Sequence, residues 1–502
     1  MRAGRGVLVL LAVLLPACKV GPNFKPPQEP VPEQYADVKA PPPQPAPQLP
    51  PRPAPQPTSE AAEPAFWWRE FHDPDLDDLV DSARRGNLDL KGAYLRIVEA
   101  RLQVQAARAQ GLPSLGASAA YTREQFGLAG ILKSQGVDTA AGPASSPAAQ
   151  GLIASLEKPV NIYQLGFDAS WELDLFGKVR RSVEAANAQS VAAVESRNDL
   201  LVSLEAEVAQ TYFQLRASQG LRQIALDEIA AQREIADLTQ NRHEHGLAGE
   251  PDVEAARAQL ASLEAQLPPY EQTIAASRHA LAVLLGQTPE SLDARFGDHG
   301  ELPALPASVP VGVPSVLARR RPDIRNSEAV LHAATAQIGV SIAGLFPDVS
   351  LAGSYGLRNL GTRYLFDWSS HFYTFGPTVS LPIFQGGALV ASVRLSKAQA
   401  AEAALSYRKT VLGALREVED GLSALDEDAR RIAALEQTVG ADQRAVEVQL
   451  DAYGHGVISY ITVLTLQLQT IQARQQLAEA MLTQSTDLVK LYKALGGGWE
   501  DA

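Results

Sequence analysis

One cysteine in 502 residues leaves no intrachain disulfide framework. Beyond a leader at its start the chain has no long apolar run, and its mean hydropathy of −0.09 excludes a bundle of membrane-spanning helices. Positive charge is in deficit, with 44 Lys and Arg against 57 Asp and Glu, a formal charge of −13 and no basic cluster. That argues against a nucleic-acid partner. There is no phosphate-binding glycine loop, no G-x-S-x-G and no H-E-x-x-H, and the eight histidines are scattered. No catalytic centre, cofactor or metal site is expected.

What is present begins with the leader. Arg2 and Arg5 precede an apolar run from Val7 to Leu15, too short to span a bilayer as a helix. Leu15-Pro16-Ala17-Cys18 resembles a bacterial lipoprotein signal, in which Cys18 becomes the lipidated first residue. Lys rather than Asp at position 19 favours the outer membrane, by the same resemblance. Stable anchoring takes more than one acyl chain. The plainer alternative is an ordinary secretory leader beside a chance cysteine.

Four short segments alternate apolar and polar side chains. Tyr163, Leu165, Phe167, Ala169, Trp171 and Leu173 alternate with Gln164, Gly166, Asp168, Ser170 and Glu172. Val349 to Arg358 and Tyr373 to Ile383 do the same, and Ser114 to Arg123 does so more weakly. Period two with unlike faces is a strand between two different solvents. Each run is about ten residues, the length that crosses a bilayer when tilted. Four strands cannot close a barrel, which needs at least about eight, and open edges do not survive in lipid. The chain must therefore build a barrel from several copies of itself. The same apolar rows could line a soluble sandwich, but that leaves the leader and the long helices unexplained.

The rest reads as helix around a tether. Residues 26 to 64 are rich in Pro, Ala, Gln and Glu, a polyproline-like or disordered segment with no core. Folding begins at Phe66-Trp67-Trp68. From there the chain repeats. Asp89 and Pro113 recur as Asp323 and Pro347, 234 residues on. Gly177, Glu207-Val208 and Gly246 recur 210 residues on as Gly387, Glu417-Val418 and Gly456. The difference lies in a longer insert between the first two strands, Phe126 to Ile162. Each half reads helix, strand, loop, strand, very long helix, sharp turn, helix. Val179 to Arg242 has no proline and would extend about 95 Å as one helix; Ala388 to Tyr453 is its copy. Apolar 3-4 spacing runs through Val411, Leu415, Val418, Leu422, Leu425, Ala429 and Ile432. A second seam runs through Ile461, Leu464, Leu468, Ile471, Ala478, Leu482, Val489 and Tyr492. Seams this narrow suit helices packed side by side in a wall. Pro268-Pro269 and Pro310 to Pro322 interrupt the shorter helices and mark a waist. The expected organisation is a signal over 1–17, a lipidated tether over 18–65, a first repeat over 66–300 and a second over 301–502.

Five separated motifs occur in order: Phe66-Trp67 with Phe71 and Asp73-Pro74; Trp171-Glu172-Leu173-Asp174-Leu175-Phe176-Gly177; Arg321-Pro322-Asp323-Ile324 with Phe346-Pro347; Leu381-Pro382-Ile383-Phe384 with Gly386-Gly387; and Leu491-Tyr492-Lys493-Ala494-Leu495-Gly496-Gly497-Gly498-Trp499. With these the chain resembles the outer-membrane efflux lipoproteins of the TolC superfamily, in the OprM/NodT-like branch. The resemblance implies a mainly α chain with a transmembrane β portion, three copies forming a twelve-stranded barrel continued by a periplasmic helical tunnel. It implies a location in the outer membrane, lipid-anchored and reaching into the periplasm. Its partners would be outer-membrane lipid, a periplasmic adaptor and an inner-membrane resistance-nodulation-division pump.

In that family the turns at Arg242 to Asp252 and at Tyr453 to Tyr460 narrow the tunnel and meet the adaptor. Asp252 and Tyr453 match gate positions, and the arginine partner falls near Ile458, so closure here would be more apolar. His245 and His455 precede the turn glycines Gly246 and Gly456 at equivalent places, forming either an imidazole ring sensitive to pH or metal or an ordinary polar tip. Asp168, Glu172 and Asp174 lie on the expected lumen face; a glycosidase-like reading of Glu172 and Asp174 is the weaker one. Two other functions compete with small-molecule efflux. One is a duct for protein or polysaccharide export. The other is a non-conducting coiled-coil lipoprotein, against which the alternating strands stand.

Overall fold

In the computed structural model the described residues are 19–27, 30, 32, 35–36, 55–58, 64–125, 134, 147, 158–297 and 300–499. Cys18 and most of the Phe126 to Ile162 insert lie outside them. The strands in chain order are β1 (Gln56–Thr58), β2 (Ser114–Glu124), β3 (Val160–Leu173), β4 (Ser308–Pro310), β5 (Asp348–Asn359) and β6 (His371–Ser380). The helices are α1 (Pro74–Gly86), α2 (Leu88–Ala109), α3 (Lys178–Glu244), α4 (Glu250–Glu264), α5 (Leu267–Leu284), α6 (Pro314–Arg320), α7 (Pro322–Ala343), α8 (Ala388–Gly454) and α9 (Tyr460–Ala494). No described helix is long and apolar enough to cross a membrane.

The chain forms two compact units. The first comprises residues up to 25 with 101–188 and 332–401; the second comprises 26–100, 189–331 and 402–502.

The first unit holds one antiparallel sheet in the order β2-β3-β5-β6. β3 begins at Val160, three residues earlier than the alternation from Tyr163 suggested. β6 ends at Ser380 rather than Ile383. Pro382 has no N–H to give a ladder, and the strand stops ahead of it.

The second unit is helical around an aromatic core. Trp67 stacks on Tyr492 with ring centroids 5.3 Å apart, and Phe71 meets Phe213 at 5.0 Å. Asp73 caps α1 by accepting from the N–H groups of Asp75 and Leu76 at 2.9 and 3.2 Å, with Pro74 at the first helical position. Its other oxygen accepts from the Tyr212 hydroxyl at 2.7 Å. Arg321 donates to both oxygens of Asp323 and to the carbonyl of Ala494, binding the Arg-Pro-Asp motif to the end of α9. There Gly498, at φ 102°, lies against the buried Glu205; a Cβ at 498 would sit 1.8 Å from its Oε2, so only glycine fits.

Two expectations need correction. The tether is not wholly without structure: β1 pairs in parallel with β4, Tyr35 is buried, and Ala36 N–H donates to Glu419 Oε1 at 2.9 Å. One aromatic ring in a polar run supplied enough apolar area to seat it. The second helical seam is also displaced. Along the first part of α9 the buried stripe is Tyr460, Val463, Thr470, Ala473 and Ala480, while Ile461 and Leu468 are exposed; at its end the expected Val489 and Tyr492 are buried. The helix carries two apolar stripes, and spacing alone does not choose between them. On α8, by contrast, Val411, Val418, Leu422, Leu425 and Ile432 are all buried.

Candidate functional site

Two places carry the functional argument: the faces of the sheet and the turns that end α3 and α8.

The register sorts the sheet cleanly. Phe167 lies between Ala117 and Tyr355, Leu165 between Ala119 and Leu357, and Trp171 beside Leu351. These rows share one face, since partners directly opposite point the same way. Large apolar side chains on it stand open, Phe167 at 56% and Tyr373 at 82% of full exposure. On the opposite face Asp168 lies between Gly116 and Ser354, Gly166 between Ser118 and Gly356, and Glu172 beside Ser350. Ser118 donates to Asp168 Oδ2 at 2.8 Å, and Arg358 donates to Gln164 Oε1 at 2.8 Å. The sheet thus has an apolar face and a hydroxyl-rich face, and among the described residues its outer strands β2 and β6 each have one side unpaired.

Asp174 does not share the strand with Asp168 and Glu172, because β3 ends at Leu173. Its carboxylate accepts from the N–H groups of Val179 and Arg180 at 3.1 and 3.0 Å and pairs with the Arg180 guanidinium. It is the cap that starts α3. Glu172 pairs with Lys178 at 3.0 Å.

The turns after α3 and α8 close alike. Gly246 (φ 73°) and Gly456 (φ 74°) take the left-handed conformation. Leu247 N–H donates to Arg242 O at 2.7 Å and Val457 N–H to Ala452 O at 2.9 Å, while each glycine N–H reaches back three residues. This is the glycine-terminated helix end in which orphan carbonyls are satisfied. His245 and His455 each bring Nδ1 to the carbonyl four residues back, Asn241 at 2.8 Å and Asp451 at 2.9 Å. Both rings are exposed and serve as matching caps, and no metal-binding group of three or more occurs among the described residues.

Tyr453 is 2% exposed and packs with Ile235, Ala256, Tyr460 and Val463; Ile458 lies against the same cluster. Its hydroxyl is 3.3 Å from Thr239 Oγ1, and its ring centroid is 5.7 Å from that of Tyr460. The Tyr460 hydroxyl accepts from Gln232 Nε2 at 2.8 Å. Burial pushes the Tyr460 phenol up. Asp252 stands apart from this cluster, in the first turn of α4, where its carboxylate faces Gly249 N–H at 3.4 Å.

Sequence reasoning missed Arg242. Its Nη1 donates to the carbonyls of Tyr453 and Gly454 at 2.7 and 3.0 Å, and its guanidinium lies 4.7 Å from the centroid of the Tyr453 ring. One cation from α3 therefore satisfies the last carbonyls of α8 and covers the tyrosine face. The repeat offset of 210 pairs position 242 with Ala452, so the duplication hides this residue. The only signal available is that a helix end rich in orphan carbonyls needs a donor.

The model for the outer membrane efflux protein family matches residues 79–287 and 313–497. The chain is 31% identical over 495 residues to the probable efflux pump outer membrane protein TtgC of Pseudomonas putida, covering 98% of this chain and 95% of that one. It is 30% identical to nodulation protein T of Rhizobium leguminosarum bv. viciae, covering 99% and 94% of the two chains. Among solved structures it matches the outer-membrane channel OprN with a TM-score of 0.82 at 31% identity, over 96% of this chain and all (100%) of the other. The open-state MtrE channel of Neisseria gonorrhoeae matches with a TM-score of 0.75 at 28% identity, over 96% and 98%. With its two-faced sheet, long helices and capped turns, the chain belongs to the outer membrane efflux protein family of the TolC superfamily, whose members are transport channels and not enzymes.

Proposed function

We propose that this efflux channel is a passive exit duct for toxic small molecules. An inner-membrane pump supplies substrate and energy, and a periplasmic adaptor joins the two. The observation that carries this reading is the sheet with one apolar face, one hydroxyl-rich face and two edges that no described strand pairs. Lipid takes the first face and water the second, and the edges β2 and β6 are satisfied by neighbouring copies. Three copies make twelve strands, in line with the family resemblance. Asp168 and Glu172 then line the lumen and favour cations. Asp174 borders it as a helix cap. Cys18 carries the lipid that holds the chain to the outer membrane, and the two repeats over 66–300 and 301–502 each supply two strands and one helical hairpin.

The turns form the periplasmic end, where Asp252, Tyr453 and Ile458 make the closed gate, with Arg242 as its fastening. His245, Gly246, His455 and Gly456 stand at the tips toward the adaptor, beside the exposed Leu247 and Val457.

Purified protein in planar bilayers should conduct as a detergent-stable trimer. A stable monomer with intact strand signal, or a trimer that conducts nothing, overturns the duct. The faces are tested by substitution. Phe167→Arg should cost about 2–4 kcal/mol near the bilayer midplane, whereas Asp168→Arg should be tolerated and should shift ion preference away from cations. Equal tolerance at the two positions reverses the assignment.

A further inference from the structure

Lys19 to Phe24 lies in a seat fitted to it, built from the Phe176-Gly177 junction, α3 and α7. Val20 N–H donates to Phe176 O at 3.2 Å. Arg181 is fully buried, and its guanidinium takes three acceptors from the segment: Val20 O, Gly21 O and Asn23 Oδ1, each at 3.0 Å. Its remaining nitrogen donates to Glu184 at 2.9 Å, and Glu184 in turn holds Lys19 at 2.5 Å. Phe24 stacks on His332 with centroids 4.3 Å apart and planes 11° from parallel.

The backbones meet through glycine on both sides. Gly21 has φ 88°, and a Cβ there would fall 2.6 Å from Gly339 Cα; a Cβ on Gly339 would fall 2.7 Å from the Arg181 side chain. Gly177, at φ 80°, leaves room for Lys19 Cα, 3.1 Å from where its own Cβ would stand. A fully buried guanidinium spent on backbone carbonyls is costly unless each donor is used. Here three of the four acceptors that use it belong to a segment remote in sequence, and the fourth is Glu184.

The seat has a definite place. β3 ends at Leu173, three residues before Phe176, and Trp171 is the last aromatic on the apolar face of that strand. Tryptophan at the foot of such a strand sits where hydrocarbon gives way to headgroups. Residue 18 is one peptide from Lys19, about 3.8 Å between α-carbons. We propose that Lys19–Phe24 is a docking strap whose seat, organised by Arg181, holds residue 18 at the foot of β3, so that acyl chains on Cys18 enter the bilayer level with the end of the sheet. The strap sets the depth of the anchor to match the depth of the barrel. Arg181 acts as a positioning residue, and Gly21 and Gly339 are the clearance that lets the strap close on it. This rests on Cys18 being the lipidated residue.

Trypsin tests it on the full-length protein in detergent, because Lys19–Val20 is the one tryptic bond in the strap; Lys25 is followed by Pro26. Intact mass before digestion reports the acyl chains, and intact mass during digestion reports their loss with the Cys18-Lys19 fragment. The parent should keep its acyl mass. Gly21→Val and Asn23→Ala, which alter only the strap, and Arg181→Gln, which alters the seat, should lose it roughly tenfold faster or more, because cleavage follows the open population. Circular dichroism and cleavage elsewhere should not change in the two strap variants. Equal rates of loss in the parent and all three variants overturn the strap. If the parent carries no acyl mass, the lipidation reading itself fails and the anchor proposal falls with it, an outcome distinct from the first.

Discussion

Between α3 and α4 the chain turns through His245-Gly246-Leu247, and between α8 and α9 through His455-Gly456-Val457, with the same hydrogen bonds in both. What surrounds the turns differs. The first hairpin brings polar groups: Arg242 on its outgoing helix, Gln232 further back, Asp252 at the start of its return. The second brings the aromatic rings of Tyr453 and Tyr460. The return helices differ too. α4 stops at Glu264 and α5 starts at Leu267, because Pro268 and Pro269 cannot donate to the turn before them, whereas α9 runs unbroken for 35 residues. Duplication preserved the closures that any helix end needs, and divergence made the two hairpins complementary: one supplies donors, the other supplies the carbonyls and rings that take them.

The strongest way to break this complementarity is to remove its apolar half. Tyr453→Ala with Ile458→Ala empties a buried aromatic site, a loss of about 3–5 kcal/mol for the ring alone. Single-channel conductance should rise, as should sensitivity to large antibiotics without the pump. If the double variant conducts like the parent while Pro268 variants conduct more, the constriction lies at the break in the first hairpin instead. Removing the polar half is milder. Arg242→Ala leaves the Tyr453 and Gly454 carbonyls without their charged donor, about 1–3 kcal/mol, with a smaller rise in conductance. Arg242→Lys should not restore the parent, since a point charge does not cover a ring face and two carbonyls together.

Each long helix also carries, toward its turn, a carboxyl held above its ordinary value. Burial raises Glu228 on α3 to about 7, against the pull of Arg474. Burial and the charge of Asp487 raise Asp428 on α8 to about 6. In both cases the folded chain keeps a proton that the unfolded chain releases. That stability is full below the unfolded value, 4.5 for Glu228 and 3.8 for Asp428, and is lost as pH rises through about 7 and about 6 respectively. Glu228→Gln should flatten urea stability between about pH 4.5 and 7, and Asp428→Asn between about pH 4 and 6. A profile unchanged in both would mean that water reaches these groups. The smallest effect belongs to Pro268→Ala with Pro269→Ala. Restoring two N–H donors should join α4 to α5 and slow amide exchange around Ala265 and Gln266, with under about 1 kcal/mol in stability because both prolines sit in a first turn.

The strands and long helices were legible because each follows from a local rule. Alternation from Tyr163 to Leu173 has one good explanation, and a proline-free run rich in Ala, Glu, Gln and Leu forms helix wherever it is placed. The end of β6 was missed although Pro382 marks it. The buried stripe in the first part of α9 was not legible, because Ile461 and Tyr460 both begin acceptable 3-4 patterns and only the neighbouring helices decide; Val489 and Tyr492 at its end were legible. Arg242 was invisible for a related reason: its partners are backbone carbonyls, which every sequence has. The strap was hidden inside a stretch that read as tether, since Gly21, Asn23 and Phe24 become informative only once Arg181 and Gly339 face them.

The contact between Gly498 and Glu205 bears on how the chain is made. Trp67 and Glu205 both lie about Gly498, so this aromatic site cannot be sealed until residue 498 has been delivered. Contacts of such long sequence separation form late, because the intervening loop must close first. For a chain carried across a membrane as it emerges, this acts as a timer. The helical unit stays open and pliable for as long as threading lasts, and shuts only when its closing segment arrives.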